Sequence, residues 1–362
     1  RLIFDLVDTG AVAGLRIDHI DGLADPAGYL QRLAARLPGC PLWVEKILSG
    51  DEPLDPDWPV AGTTGYEVGR LIARLLSDPD GVARLEHAWA GATGRTGSFH
   101  DALMTAKPQV LAGELAAELH QLVELGGRAL AAAGIEAGPE MRREALAALL
   151  VAMPRYRTYF TDRASMADLA LWDEVRIGAG AGLPWSGTLD ALAGIIAAGK
   201  GPEAMALRVR FQQVSGALIA KSLEDTAGFR HTPYLAANEV GAEPDEPVAT
   251  AAEAMAFATD RLALWPGALT LTSSHDTKRS EDARMRLVAI SHAPEAFLQL
   301  FHAVAALAGE KVTPGTLWYL VQSAIAIWEP GRADTGDRLA AHMEKAMREA
   351  KEVTFWTDPR KA

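Results

Sequence analysis

The sequence predicts an α/β protein built on a parallel sheet, closed or doubly wound, with a long helical insertion. Three observations carry this. Over residues 1–48, short apolar runs alternate with amphipathic helices. Over 68–265 the alternation stops and helical spacing takes over. After 266, strand character returns once, at 268–274, before the chain ends in helix. The expected organisation is therefore sheet core over 1–67, a mainly helical insertion over 68–265, and core again over 266–362.

Each element has its own grounds. Ile3, Leu6 and Val7 mark the face of a first helix, and Gly10 and Gly14 punctuate it. Residues 14–18 form a short apolar run ending in acid, the signature of a buried strand. A helix is expected over 26–37, with Tyr29, Leu30, Leu33 and Leu37 on one stripe, halted by Gly39 and Pro41. The next strand is expected in 42–48. Leu111, Leu115, Leu119 and Leu122 step by three and four, as do Met141, Ala145, Leu146, Leu149 and Leu150. Further helices are expected over 204–225 and 337–351, the latter with Leu339, Met343, Ala346 and Met347 on one face. Gly-rich patches at 91–97, 126–138 and 178–187 lack the strand–helix setting of a phosphate loop and read as turns.

Composition narrows the function. The chain has 362 residues, 49% hydrophobic and 23% charged, which is a globular balance. A net charge of −12 argues against nucleic acid or an anionic membrane as partner. The longest apolar run, 145–153, ends at Pro154 and falls short of the roughly 18 residues a membrane span needs. One cysteine, Cys40, excludes an internal disulfide and a Cys-rich metal site; beside an apolar run it reads as structural. Arg1 is no initiator Met, and the first residues read as the middle of a helix rather than a signal peptide. The expectation is a cytoplasmic protein, met here as a piece of a longer one.

Three segments end a probable strand with a carboxylate: GLRIDHIDGLADP (14–26), PLWVEKIL (41–48) and TLTSSHDTKRSED (270–282). In a parallel barrel the C-terminal strand ends carry the active site, so Asp18, Glu45 and Asp276 are candidate catalytic groups. Arg16, two residues before Asp18, shares its face of the strand and could hold that carboxylate ionised. His19 and His275 each neighbour one acid. Alone, each acid could equally be a cap or a loop-closing group, and Arg16–Asp18 a plain salt bridge. Asp21, Asp25 and Glu52 read as caps or solvated loop acids.

Taken with WPVAGTTGYE (58–67) and SSHDTKRSEDARMR (273–286), these strings resemble the maltooligosyltrehalose synthases of the α-amylase superfamily. MPRYRTYF (153–160), FQQVSGALIAKSLEDTAGFR (211–230), NEVGAEP (238–244) and KAMREAKEVTFW (345–356) are similar to that family in the same order. The resemblance implies a partial (β/α)8 TIM-type barrel, strands four to seven, with the helical stretch as the family's insertion. It implies Asp18 as nucleophile, Glu45 as general acid/base and Asp276 as transition-state stabiliser. Arg16 and His275 match the supporting pair. His19, Lys46, Trp58, Tyr66, Phe229, Lys278 and Arg279 fall in family strings as substrate-binding residues. Gly228 departs from the family, which has an aromatic pair where this chain has Gly228 and Phe229; one ring for the acceptor sugar is missing.

The implied reaction rearranges the reducing-end α-1,4 link of a maltooligosaccharide to an α,α-1,1 link, with no metal or organic cofactor. A trehalose-releasing hydrolase acting on the product is the implied partner. The same three acids would serve an α-amylase-type hydrolase or a 4-α-glucanotransferase. A metal-dependent barrel hydrolase using the Asp18–His19 and His275–Asp276 pairs, and a non-catalytic glucan-binding protein, are the remaining readings.

Overall fold

In the computed structural model, residues 1–161, 164–184 and 186–358 are described. Trp185, in the Gly-rich stretch read as a turn at 178–187, lies outside them. The chain divides into two compact units: Arg1–Ser49, Pro53–Gly62 and Met104–Ser222 form the first, and Gly50–Glu52, Thr63–Leu103 and Leu223–Ala362 the second.

The first unit holds the sheet. Strand β1 (Leu15–Ile17) pairs in parallel with β2 (Leu42–Val44), Leu15 opposite Leu42 and Ile17 opposite Val44. Gly14 is required just before β1, because a Cβ there would lie 2.5 Å from Cζ3 of the Trp43 ring. Between the strands runs the helix Pro26–Arg36. Asp25 caps it by accepting the Gly28 N–H at 2.9 Å, and Pro26 stands at its first turn, where a missing N–H costs nothing. Its buried Leu30 and Leu33 face inward, and Leu33, Leu37 and Leu42 pack with Phe4, Val7, Leu15 and Ile17. A two-residue strand, β3 (Gly62–Thr63), completes the sheet in the order β1-β2-β3.

Five helices, Ala116–Ala132, Pro139–Ala152, Met166–Gly180, Ser186–Ala198 and Pro202–Ile219, build the larger core of this unit. Leu111, Leu115, Leu119, Leu122, Leu146, Leu149 and Leu150 are all buried in it, as their spacing predicts. Each such Leu contributes about 1.5–3 kcal/mol. The helix Pro202–Ile219 does a second job. Gln212, fully buried, accepts the Phe160 N–H at 2.7 Å and donates to the Phe160 carbonyl at 3.1 Å. Ser215 donates to the Tyr156 carbonyl and Arg208 to that of Thr161. Residues 156–161 form no helix or strand, so these side chains replace a ladder and hold the segment in place.

The second unit is helical: Tyr66–Leu76, Pro79–Thr93, Ala251–Leu264, Glu281–His292, Pro294–Ala308, Pro314–Ile327 and Thr335–Ala350. Trp318 is its fully buried centre, with Phe297 and Phe301 edge-on at 4.8 and 4.9 Å and its indole N–H on the Pro233 carbonyl. The helix expected over 204–225 changes character at Ala220, where an eight-residue π-helical run to Ala227 begins. Ser222 bonds back to the Leu218 carbonyl within it, one of the ways a helix ladder is opened.

Three expectations need correction. Of the Gly-rich patch read as a turn at 126–138, residues 126–132 lie inside the helix Ala116–Ala132. Residues 268–274 are not a strand: one backbone bond, Leu269 N–H to the Thr63 carbonyl at 3.1 Å, ties them to a neighbour. A strand needs a ladder, and one bond is not a ladder. Nor do the described residues form four barrel strands. The fold is mostly helical, with a small parallel sheet.

Candidate active site

Asp18 and Glu45 each follow the last paired residue of neighbouring parallel strands, Ile17 and Val44, so both stand at the C-terminal edge of the sheet. The strand end is locked by the Glu45 N–H on the Ile17 carbonyl at 2.8 Å. His19, in the left-handed region with φ +45, turns its own N–H onto Glu45 Oε2 at 2.6 Å. The general-acid candidate is thus oriented by the backbone that follows the nucleophile candidate. Arg16 Nη1 reaches Asp18 Oδ1 at 2.8 Å, as the two-residue spacing predicts. That pair is open to water, so it orients the carboxylate more than it stabilises the fold.

Behind these acids lies a buried cluster. The Lys46 ammonium, nearly inaccessible, is 4.0 Å from Asp21 Oδ2 and 4.8 Å from the centre of the Tyr159 ring. Tyr159 donates its hydroxyl proton to Asp21 Oδ1 at 2.5 Å, and Trp58 meets the same ring edge-on at 5.2 Å. Arg157, 1% exposed, donates to the Asp21 and Leu23 carbonyls at 2.6 and 2.7 Å. Burial lowers the Arg157 pKa; Tyr159 and Asp21 oppose that shift. Asp21 is therefore no solvated loop acid: it is 9% exposed, and a phenol and an ammonium offset the cost of its burial. Asp25, in contrast, is the expected cap. Sequence reasoning misses Tyr159, Arg157 and Asp21 as site residues, although MPRYRTYF contains two of them.

The remaining candidates belong to the second unit. Asp276 and His275 are exposed and paired with each other, Nε2 to Oδ2 at 3.2 Å. The Asp276 N–H donates to Ser274 Oγ at 3.1 Å, and Tyr66, itself buried, places its hydroxyl 2.9 Å from the same Oγ. Tyr66 thus holds the Asp276 turn. Lys278 Nζ donates to Asp225 Oδ1 at 2.6 Å and lies 5.9 Å from the centre of the Phe229 ring. Burial works against that ammonium, but Asp225, then Glu224 and Glu239, outweigh it and raise its pKa. Phe229 is half-buried, 5.9 Å from the Tyr319 ring. Arg279 donates to the Asn238 carbonyl and the Tyr319 hydroxyl, and Tyr319 in turn meets His342 Nε2 at 2.9 Å. Burial, reinforced by Arg279 and Lys345, lowers the His342 pKa to about 4. Tyr319 and His342 have no motif of their own, and Glu239 lies in NEVGAEP without being singled out there, so sequence reasoning misses all three.

Among the described residues, no group of three or more His, Cys, Asp or Glu side chains is placed to hold a metal ion. No described helix is long and apolar enough to cross a membrane.

Two acids at the C-terminal edge of neighbouring parallel strands, backed by a cation and aromatic rings, are the arrangement of an α/β enzyme site. Comparison with known proteins shows which enzymes the chain is similar to, the maltooligosyltrehalose synthases. A Mycobacterium tuberculosis protein assigned as a maltooligosyl trehalose synthase is 37% identical over 98% of this chain and 45% of its own length. The solved maltooligosyltrehalose synthase of Arthrobacter ramosus is 34% identical, with a TM-score of 0.88 over 99% of this chain and 45% of that one. A Sulfolobus tokodaii structure with the same assignment is 25% identical, with a TM-score of 0.79 over 96% of this chain and 44% of that one. The chain therefore spans about half the length of the relatives it matches. No protein-family model matches the sequence.

Proposed function

We propose that this chain is part of a maltooligosyltrehalose synthase and supplies its three catalytic acids. The observation that carries the reading is the placement of Asp18 and Glu45 at one register position on adjacent parallel strands, in a chain similar to those enzymes. Adjacent strands are about 4.8 Å apart. That spacing permits the carboxyl separation of about 5–5.5 Å which a retaining double displacement needs.

In the proposed reaction, Glu45 gives its proton to the oxygen of the last α-1,4 link as Asp18 attacks the anomeric carbon on its donor side. The C–O bond breaks, glucose leaves, and the shortened oligosaccharide is held as an ester of Asp18. The freed glucose turns and presents its anomeric hydroxyl. Glu45 takes that proton, the new C–O bond forms, and the Asp18 ester breaks. Two inversions leave the α configuration intact, and an α,α-1,1 link replaces the α-1,4 link. Asp276 stabilises the positive charge at the reacting carbon. Tyr159 supplies a stacking surface for a sugar face, while Lys46 and Trp58, both buried and so not sugar contacts themselves, brace its ring and Asp21. Arg16, His19, Tyr66, Phe229, His275, Lys278 and Arg279 bind sugar or fix the groups that do. The barrel of which β1 and β2 would be neighbouring strands is part of this proposal, as are the cytoplasmic location and the trehalose-releasing hydrolase acting downstream.

The test is product analysis. The full-length protein containing this chain, given maltopentaose with and without EDTA, should consume it without a rise in reducing ends and with no loss of rate in chelator. Growth of reducing ends at the rate of substrate loss would make it a hydrolase, and abolition by EDTA would assign it to metal-dependent chemistry.

A further inference from the structure

NEVGAEP (238–244) matches the family strings but has no part in the mechanism above. Its Glu239 side chain is 7% exposed and faces the turn that carries His275 and Asp276. Glu239 Oε1 accepts the Lys278 N–H at 2.5 Å and its own neighbour's, Val240, at 3.0 Å; Oε2 accepts the Arg279 N–H at 3.1 Å. Arg284 Nε lies 3.8 Å from Oε2, in a side chain 6% exposed. A buried carboxylate is costly unless its lone pairs are filled, and here three N–H groups fill them while the Arg284 guanidinium adds an opposite charge at ion-pair distance.

What the carboxylate grips is backbone with little frame of its own. Residues 268–280 form neither helix nor strand. The front of the turn is closed by Thr277, whose Oγ1 accepts the Ser274 N–H at 3.1 Å and donates to the Ser274 carbonyl at 2.8 Å. The back is closed by Glu239 on Lys278 and Arg279. Asp276 sits inside the first tie and two residues before the second, its N–H on the Ser274 Oγ that Tyr66 holds and its side chain 46% exposed. Of the two ties, only the Glu239 contact is both buried and charged, which makes it the stronger.

We infer that Glu239 is a positioning residue, a carboxylate clamp that fixes the Asp276 turn so that the Asp276 side chain is presented in one place. The inference rests on the proposed role of Asp276. Positioning acts on the transition state more than on ground-state binding, so its loss lowers kcat and leaves KM nearly alone. Glu239→Gln is the sharp variant: it keeps size and shape but turns one acceptor into a donor that faces an N–H.

In the full-length protein, Glu239→Gln should lower kcat on maltopentaose at least about tenfold with KM within about threefold. Amide exchange at Lys278 and Arg279 should quicken at least about tenfold while the helix Glu281–His292 keeps its protection. Thr277→Val, which opens the other end of the turn, should give the same pattern more weakly, and it carries the test if Glu239→Gln does not fold. Wild-type kcat with quickened exchange would overturn the inference, because the clamp would then have no bearing on the chemistry. Unchanged exchange at both amides would overturn it too, as would lost protection throughout the helix, which marks a general structural role. Asp276→Asn runs alongside: wild-type kcat there would remove the role of Asp276, and the exchange result would still report whether the clamp exists.

Discussion

Replacing Asp18 with Asn, or Glu45 with Gln, removes a nucleophile or a proton donor while leaving the backbone that holds it. The His19 N–H can still find an acceptor in the amide carbonyl that Glu45→Gln leaves in place, and β1 and β2 pair through main chain alone. Turnover of maltopentaose by the full-length protein should therefore fall about a thousandfold or more with the fold intact. Steady-state rates beside a circular dichroism spectrum decide it; wild-type rates in either variant would remove these roles. His342 gives a second prediction at this scale. Its folded pKa, about 4, lies below the ordinary value of 6.5, so the unfolded chain takes up the proton first as pH falls. The contribution is present in full above pH 6.5 and is lost between 6.5 and about 4. At ~1.4 kcal/mol per pH unit this amounts to at most about 3.5 kcal/mol, less whatever solvent screens at a side chain that is only partly buried. Thermal midpoints of the wild type and His342→Gln across that window should converge as the pH falls; parallel curves would contradict the buried neutral imidazole.

At the level of elements, the sequence is readable where local pattern and tertiary setting agree. The 14–18 and 42–48 runs become β1 and β2 because each is apolar, short and followed by an acid, and because the helix between them has a cap, a stripe and a Gly stop. The Leu stripes become core for the same reason. Asp21 misleads because the phenol that buries it is 138 residues away, in a segment held by Gln212 rather than by any ladder. The 268–274 run misleads because alternating Leu269 and Leu271 state a preference that only a neighbouring backbone can realise. That segment yields its own prediction. Gly65 has φ +98, and a Cβ there would lie 2.2 Å from the Leu269 carbonyl oxygen and 2.9 Å from the Leu271 nitrogen. Both obstacles are backbone and cannot rotate away. Gly65→Ala should cost at least about 2 kcal/mol and push 268–274 off the start of the helix Tyr66–Leu76. Urea denaturation measures the first effect, and amide exchange at Leu269 the second. An unchanged midpoint would mean that the two segments are not in contact there.

For the molecule as a whole, the chain on its own should be a poor enzyme even though all three acids are present. It spans 45% of the length of the relatives it matches, and three of its surfaces stand uncovered among the described residues. Strand β1 stands at the end of the strand order, paired with β2 alone among the described residues, so its outer edge offers unsatisfied backbone beside Asp18. The helix Ala251–Leu264 buries none of its residues, and Met255, Leu262 and Leu264 are 67%, 72% and 66% exposed. Leu2 and Ile3, on the helix Leu2–Asp8, are 71% and 57% exposed. Apolar faces of this kind drive association when nothing covers them. An unbraced β1 also lets Asp18 wander, and a displacement of about 1 Å can cost a hundredfold in rate. The isolated chain should therefore elute as oligomer or aggregate in size-exclusion chromatography and turn over maltopentaose at least about a hundredfold more slowly than the full-length protein. A monodisperse monomer working at the full-length rate would mean that β1 needs no further neighbour and that its edge is closed by other means.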